Sequence, residues 1–235
     1  GFQPLQAPAR VPTDVATTET TSGQQLPFIV RLETGSINRA IYQIATLYQH
    51  GQTVSAVEPA PDGWNQRLVY TFGGGCEAGY FQGTSTGGVL RESILAKGYA
   101  VASSTLNVNA QGGCNDVLSA ETAMMVKEHF SKHYGVPVHT IGSGASGGAM
   151  QQLLIAGAYP GILDGLLVGM TFSDAVTYFT DAQECSGPWR PYANNPDNGL
   201  DEATRTVVGG WPNWYLCDES LGDRPDRISP FDCPA

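Results

Sequence analysis

The chain has 235 residues, with 12 basic and 22 acidic side chains and a formal net charge of −10. An acidic chain without a lysine or arginine cluster is a poor electrostatic match for nucleic acid or for an anionic membrane surface. Charged residues make up 14% of the chain and hydrophobic residues 41%, which is typical of a folded globular protein and excludes a disordered one.

The predicted elements begin with a hairpin. Residues 28–47 carry β-branched and aromatic residues on both sides of Gly35 and Ser36, which predicts two strands joined by a turn at that point. Beyond them, short apolar runs predict strands, and runs with one apolar helical face predict helices. These are strands at residues 67–72, 99–103, 136–141 and 164–171, and helices at residues 88–97, 119–134 and 148–156. Their alternation predicts an α/β fold with a mostly parallel sheet covered by helices on both faces.

The composition divides the chain into three parts. Residues 1–26 are polar, without the regions of a signal peptide, and are predicted to be the N-terminal arm of an already trimmed chain. Residues 27–172 are predicted to form the α/β domain, which is incomplete in this chain. Residues 173–235 are rich in proline, glycine, tryptophan and tyrosine, and are predicted to form an irregular, lid-like insertion.

Hydrophobic stretches and cysteines indicate the cellular location of the protein. The most apolar stretch, residues 162–170, is too short to span a bilayer. The five cysteines have no zinc-ligand spacing, so they predict disulfides and a secreted or periplasmic protein. Because five is odd, one cysteine is predicted to be free or to bond outside this chain, with Cys217 and Cys233 as the candidates.

A nucleophile elbow is predicted at residues 144–148. The sequence Gly-Ala-Ser-Gly-Gly fits the pattern G-x-S-x-G, between a predicted strand and a small-residue helix. The glycines allow a sharp turn that exposes the Ser146 hydroxyl, and the Gly147 amide can then face a developing oxyanion. A second match at residues 83–87 does not follow a strand, so we interpret its Ser85 as a helix N-cap. The alternative for Ser146 is a tight turn without catalytic function.

A glycine-rich loop is predicted to complete the oxyanion hole. Residues 72–76 read Phe-Gly-Gly-Gly-Cys and directly follow a predicted core strand. In hydrolases with this elbow, a second donor lies in the loop after the third strand. Gly74, Gly75 and Cys76 are therefore the candidate donors. Alone, this loop would be an ordinary turn, but its combination with the elbow favours a site.

The general base is missing from its expected position. Such hydrolases run serine, acid and histidine along the chain, whereas all four histidines here precede Ser146. His139 is interpreted as structural. His129 and His133 lie four apart on a predicted helix without a third ligand, which indicates a solvated helix face and no metal site. Asp174 is the candidate acid, with a loop or cap role as its alternative.

We therefore expect the active unit to extend beyond this chain. Residues 27–172 would then be the N-terminal portion of an α/β-hydrolase domain. A second polypeptide would supply the catalytic Asp and His, either as the other part of a proteolytically processed, disulfide-linked heterodimer or as a separate subunit. Neither a metal nor another cofactor is predicted. The predicted ligand is a small-molecule or polymeric ester, and neither nucleic acid nor a membrane is a predicted partner.

The motifs also resemble a known family. The resemblance is carried by RLETGSINRAIYQIATLY, RLVYTFGGGCEAGY, NVNAQGGCNDVLSAETAMMVKEHF and HTIGSGASGGAMQQ. These segments are similar to a poorly characterised family of large secreted bacterial α/β-hydrolases, which is distantly similar to tannase and feruloyl esterase. The resemblance covers residues 28–185 and implies Ser146 as nucleophile, with residues 74–76 in the oxyanion loop. It also implies Asp and His in the C-terminal half of a longer protein. Related sequences often carry a cysteine before the nucleophile, linked to one near the histidine, where this chain has Ala145.

The sequence thus predicts a serine hydrolase that cleaves carboxylic esters through an acyl-enzyme on Ser146. The aromatic residues of the C-terminal segment favour an apolar or aromatic substrate group, as in an aromatic ester or a polyester. A chymotrypsin-like peptidase does not fit the α/β pattern. The alternative from another class is a catalytically inactive α/β-hydrolase-like binding module or fragment, which the absent base favours.

Overall fold

The structure is a computed structural model that describes residues 1–5, 11–49, 51, 62–76, 81–171, 177, 180, 181, 184–210 and 212–218. The chain divides into two compact units, residues 1–171 and residues 172–235. The central sheet and both glycine-rich motifs belong to the first unit.

Two sheets are present in the described part of the first unit. A short antiparallel pair, β1 Thr17–Glu19 and β2 Gln25–Pro27, precedes a six-stranded sheet. The strands of the larger sheet are β3 Val30–Ile37, β4 Ala40–Leu47, β5 Arg67–Thr71, β6 Ala100–Ser104, β7 His139–Ala145 and β8 Gly165–Gly169. They lie in the order β3-β4-β6-β5-β7-β8. The pairs β3–β4 and β4–β6 are antiparallel, and the remaining pairs are parallel.

Helices cover both faces of the larger sheet. They are α1 Glu92–Leu95, α2 Asn109–Gly112, α3 Asp116–Tyr134 and α4 Gly147–Ala158, with a 3₁₀ turn at Thr105–Asn107. Successive side chains of a strand point to opposite faces. On β5, Leu68 and Tyr70 therefore pack in one core with Phe130 of α3, whereas Val69 packs in the other with Leu95 of α1. The predicted α/β-hydrolase-like fold is confirmed.

The hairpin is present, but its turn lies elsewhere. The turn is formed by Asn38 and Arg39, both with positive φ as in a type I′ turn. Gly35 lies inside the ladder opposite Tyr42, so the predicted turn at Gly35 and Ser36 is wrong. A Cβ atom on Gly35 would come within 2.6 Å of the Tyr42 ring, so this glycine makes room for a tyrosine.

The helix predicted over residues 88–97 is reduced to the single turn α1. Its N-cap is Arg91, so the interpretation of Ser85 as the N-cap is wrong. The preceding segment instead bonds to the sheet: Thr86 Oγ1 donates to Gln43 at 2.8 Å, and the Gly87 amide donates to Ser103 Oγ at 2.8 Å. These bonds hold Thr86 and Gly87 to the sheet, and the helix begins only at Glu92.

One histidine of α3, His129, belongs to a half-buried polar cluster, whereas His133 is exposed. His129 Nε2 lies 2.7 Å from the Glu33 carboxylate, which also accepts hydrogen bonds from Tyr42 and Tyr134 at 2.7 and 2.6 Å. Burial raises the pKa of Glu33, but the hydrogen bonds from Tyr134, His129 and Tyr42 outweigh it and hold the pKa below its ordinary value. The prediction of a solvated face is therefore wrong for His129, which ties α3 to β3.

The N-terminal segment bonds to the rest of the first unit. Part of residues 1–26, predicted as an arm, forms β1 and β2. Thr18 Oγ1 donates to the Ala96 carbonyl at 2.8 Å, and the Thr21 amide donates to that of Lys97 at 3.1 Å. The strand pair is thereby anchored to the end of α1.

Short helices and a disulfide make up the described part of the second unit. They are a π-helix at Cys185–Trp189, α5 Arg190–Asn194, a 3₁₀ turn at Pro196–Asn198, α6 Glu202–Gly209 and α7 Trp214–Asp218. Cys185 bonds to Cys217, and both are buried beside Trp214. The prediction that Cys217 bonds outside the chain is therefore wrong, and Cys233 lies outside the described residues. None of the helices in the described ranges has the length and apolar character of a membrane span.

Candidate active site

Ser146 occupies the turn between β7 and α4 with a strained backbone. Its φ is 57° and its ψ is −124°, a combination that residues with a Cβ atom rarely adopt. Three backbone hydrogen bonds hold it there. The Ser146 amide donates to Gly169 of β8 at 3.0 Å, and its carbonyl accepts from Ala149 and Met150 of α4 at 2.8 and 3.1 Å. The hydroxyl therefore stands at the carboxyl end of the sheet on a rigid turn.

The glycines around Ser146 are required by close backbone contact. A Cβ atom on Gly144 or on Gly148 would lie 2.6 Å from the Phe72 carbonyl oxygen, and one on Gly147 would overlap the carbonyl oxygen of Gly75. Contacts this short are not tolerated between real atoms, so a side chain at any of the three would displace the loop after β5. The elbow and this loop are thus packed together at van der Waals distance.

The loop at residues 73–76 follows β5, the third strand of the six-stranded sheet in chain order. The Gly73 amide donates to Asn107 at 2.8 Å, and the Gly74 carbonyl accepts from the Ala110 amide at 2.9 Å. A disulfide between Cys76 and Cys114 closes the loop. A Cβ atom on Gly74 would lie 3.6 Å from Ser146 Cβ, so the structure brings this loop to the serine.

A network of buried polar side chains lies beneath both motifs, and sequence reasoning did not find it. Gln151 Nε2 donates to the carbonyls of Gly73 and Asn107 at 3.0 and 3.2 Å. Ser119 Oγ donates to Gln151 Oε1 at 2.6 Å, and Tyr70 Oη donates to Asn107 Oδ1 at 2.7 Å. Burial raises the pKa of Tyr70, which keeps it a neutral donor. The one sign of this network in the sequence is that polar residues occupy helix positions at which the amphipathic pattern predicts apolar ones.

No described histidine is placed to act as the base. His139 begins β7, and a strand of that length separates it from the elbow by about 20 Å. His129 bonds to Glu33 of β3, which lies four strands from β7, or about 19 Å at ordinary strand spacing. His133 is one turn farther along α3, with Nδ1 2.9 Å from the His129 carbonyl. His50 lies outside the described residues.

The remaining predicted site features concern acids and metals. Asp174, the candidate acid, lies outside the described residues. Within the ranges that the structure describes, no three His, Cys, Asp or Glu side chains come together as a potential metal site. The described arrangement places the Ser146 side chain beside the glycine-rich loop after β5.

A comparison with known families identifies the chain more closely. Residues 1–235 match the tannase-like family of unknown function (DUF6351), and the chain belongs to this family. The resemblance to tannase and feruloyl esterase that the sequence motifs carry is thereby confirmed. No curated protein matches the chain.

Several solved structures are similar to the chain at low identity. Feruloyl esterase B from Aspergillus oryzae is 12% identical with a TM-score of 0.42, covering 82% of this chain and 37% of that protein. Tannin acyl hydrolase from Aspergillus niger is 12% identical with a TM-score of 0.39, covering 71% and 36%. Oligopeptidase B from Leishmania major is 14% identical with a TM-score of 0.42, covering 82% and 24%. The chain thus spans between 24% and 37% of the length of these three proteins.

Proposed function

We propose that this member of the tannase-like family is a serine esterase that cleaves carboxylic esters through an acyl-enzyme on Ser146. The observation that carries the proposal is the backbone of Ser146, held at φ 57° and ψ −124° beside a glycine-rich loop. A conformation of this kind costs about 1–3 kcal/mol and persists where the surrounding structure holds it, most often at functional sites.

The proposed reaction has two steps. Ser146 Oγ attacks the ester carbonyl carbon and passes its proton to a histidine, which leaves a tetrahedral oxyanion. The bond to the alcohol oxygen then breaks, the alcohol takes the proton from the histidine, and the acyl group remains on Ser146. Water that is deprotonated by the same histidine attacks this ester, releases the carboxylic acid and restores the Ser146 hydroxyl.

The proposed oxyanion donors are the Gly147 amide and the amides of Gly74, Gly75 and Cys76. The direction in which each amide points decides which of them are favoured. The carbonyl and the amide of one trans peptide point in opposite directions, so the direction of a carbonyl gives that of the next amide. The Gly75 carbonyl points at Gly147, so the Cys76 amide points away from it. The Gly147 amide lies at the N-terminal end of α4, where the helix dipole favours a negative charge. Gly147 with Gly74 or Gly75 is the favoured combination.

The base and the acid are proposed to come from outside the described residues. A general base is required because a serine hydroxyl is a weak nucleophile by itself, and histidine is the proposed base. Asp174 is retained as a candidate acid. A second polypeptide that carries the catalytic Asp and His, produced by processing of a secreted precursor, is the proposed source. Two disulfides in the described chain, Cys76–Cys114 and Cys185–Cys217, are compatible with an oxidising compartment.

The proposed substrates are esters with an apolar or aromatic group. The second unit exposes Tyr192 and Tyr215, and stacks Trp189 on Tyr192 with ring centroids 5.7 Å apart. Aromatic side chains of this kind contact aromatic or apolar ligands well. Aromatic esters and polyester are therefore the two substrate classes to compare.

The test is covalent labelling of the full-length protein with a fluorophosphonate. We expect a phosphonyl group on Ser146, located by peptide mass spectrometry, and none in Ser146→Ala. Ser85→Ala is the matched control from the second G-x-S-x-G match and should label like the wild type. Labelling at Ser85, or none at all, would contradict the proposal, and the second result would favour an inactive binding module.

The source of the histidine is tested by intact mass with and without reductant. A second polypeptide that is released only by reductant would show a disulfide-linked partner, and one seen without reductant would show a partner held by packing. A labelled protein that remains a single polypeptide under both conditions would refute the second chain and place the base within one polypeptide.

A further inference from the structure

One buried glutamine joins the elbow helix to the glycine loop. Gln151 lies on α4 and is 1% exposed. Its Nε2 donates to the carbonyl of Gly73 at 3.0 Å and to that of Asn107 at 3.2 Å, and it lies 3.4 Å from the Gly147 carbonyl. A single carboxamide thus contacts the first loop residue after β5, the 3₁₀ turn after β6 and the first turn of α4.

The bond to Gly73 determines the direction of the next amide. The Gly73 carbonyl and the Gly74 amide belong to one planar trans peptide, so the two groups point in opposite directions. Because Gln151 holds the Gly73 carbonyl toward the buried side of the loop, the Gly74 amide points away from that side. Glycine at both positions removes the side-chain barrier to rotation of this peptide, so hydrogen bonds hold it. The bonds of the Gly73 amide and the Gly74 carbonyl restrain the two neighbouring peptides, and the bond from Gln151 acts on the carbonyl of this peptide itself.

The orientation of the glutamine is fixed by its other oxygen. Ser119 Oγ, on α3, donates to Gln151 Oε1 at 2.6 Å. Asn107 Nδ2 lies 2.9 Å from the same hydroxyl and 3.0 Å from the Ser119 carbonyl, and Tyr70 Oη donates to Asn107 Oδ1 at 2.7 Å. A rotated Gln151 carboxamide would turn its oxygen toward two carbonyls. The network therefore presents the Nε2 group to Gly73.

We propose that Gln151 is a positioning residue that holds the Gly74 amide in the direction of the oxyanion. The proposal rests on the proposed function, because it assigns a role within the same acyl transfer. Gln151 itself touches neither substrate nor reacting atoms. It acts through the Gly73–Gly74 peptide, and it couples that peptide to the helix that begins at Ser146.

Gln152 provides a matched comparison. It is the next residue of α4, is also buried, and donates to the carbonyls of Gly148 and Gly144 at 2.8 and 3.3 Å. It has the same side chain and the same helix, and among the described residues none of its hydrogen bonds goes to the glycine loop. Gln151→Glu and Gln152→Glu each bury a carboxyl group in α4, but only the first turns an acceptor toward Gly73.

The experiment measures fluorophosphonate labelling of Ser146 in the full-length protein. The plateau of labelling, which is its final extent, measures the fraction of the protein that has a folded site. The rate constant of labelling measures how well the site stabilises the transition state. Loss of one oxyanion donor costs about 10²–10³-fold in rate, so misdirecting one should cost Gln151→Glu about 10- to 100-fold at pH 8. Burial raises the pKa of a carboxyl group, so toward pH 5 a glutamate at this buried position takes up a proton and becomes a donor, and the ratio of wild-type to variant rate should shrink.

Each outcome is decisive. A full plateau with a slow rate in Gln151→Glu, partial recovery on acidification and a smaller effect in Gln152→Glu would support the proposal. A wild-type rate in Gln151→Glu, or equal losses in both variants, would overturn it. If Gln151→Glu has no plateau, Gln151→Met, which keeps the shape without a charge, decides by the same rate criterion. If the wild type does not label, the proposed function fails and this inference fails with it.

Discussion

Two alanine substitutions in one helix should have opposite effects on stability. Gly148 and Gly157 both lie in α4, and neither has a positive φ, so the backbone accepts alanine at both. A Cβ atom on Gly157 would meet nothing within 4 Å, whereas one on Gly148 would lie 2.6 Å from the Phe72 carbonyl oxygen and 3.1 Å from its carbon. The two positions therefore share the same helix propensity and differ in steric contact.

The magnitudes follow from these contacts. Gly157→Ala should stabilise the protein by about 0.5–1 kcal/mol, since alanine loses less backbone entropy than glycine in a helix. Gly148→Ala gains the same amount but must displace the end of β5, and overpacking of this kind costs about 1–3 kcal/mol. The free energies of unfolding of the two variants should therefore differ by about 1–3 kcal/mol, with Gly157→Ala the more stable.

Urea unfolding followed by circular dichroism measures this difference, provided that the m-values of the two variants agree. The labelling rate of Ser146 gives a second measurement, because Phe72 directly precedes the glycine loop. Gly148→Ala should slow labelling, and Gly157→Ala should not change it. If Gly148→Ala were as stable as Gly157→Ala and labelled at the wild-type rate, the packing of the elbow against β5 described above would be incorrect.

Two further predictions concern strain and pH. Both Ser146→Gly and Ser146→Ala should abolish labelling, but the glycine variant should have the higher free energy of unfolding in urea, by about 1 kcal/mol. Glycine relieves a positive φ that costs about 1–3 kcal/mol, and it adds about 0.5–1 kcal/mol of backbone entropy cost. Equal stability of the two variants would show that the turn is unstrained. The pKa of Glu33 is lowered from 4.5 by folding, so its contribution to stability is present above that value and is lost as the pH falls toward the folded pKa. Urea midpoints between pH 7 and pH 3 should therefore fall more steeply for the wild type than for Glu33→Gln, and parallel curves would contradict the role of this carboxylate.

The strands of the sheet were predictable where they are uniformly apolar. Residues 67–72 were predicted as a strand, and β5 covers Arg67–Thr71. The strand that leads to Ser146 was predicted at residues 136–141, whereas β7 runs from His139 to Ala145. Its second half contains two glycines, which have low strand propensity. Pairing with β5 on one side and β8 on the other overrides that propensity, and a single sequence does not reveal such pairing.

The proximity of the two candidate motifs was predictable from local sequence, and their catalytic role stays a prediction. The strand-to-helix context around Ser146 and the glycines after β5 are visible in the sequence, and the structure brings them together. The buried network was not predictable, because Tyr70, Asn107, Ser119 and Gln151 come from four separate elements. Their hydrogen bonds depend on how α3 and α4 pack against the sheet. For the same reason, Glu33 and His129, far apart in sequence, gave no sign of their contact.

The register between β5 and β7 explains why the two motifs meet. Thr71 lies opposite Ser143 in this parallel pair, and the Phe72 amide donates to the Ser143 carbonyl at 2.9 Å. The ladder thus continues to the residue before the glycine loop. A shift of one residue would turn every side chain of β5 to the other face and take Tyr70 out of the core that it shares with Phe72. Elbow glycines and loop glycines are therefore complementary in one register, and the burial of Tyr70 and Phe72 in a single core selects that register.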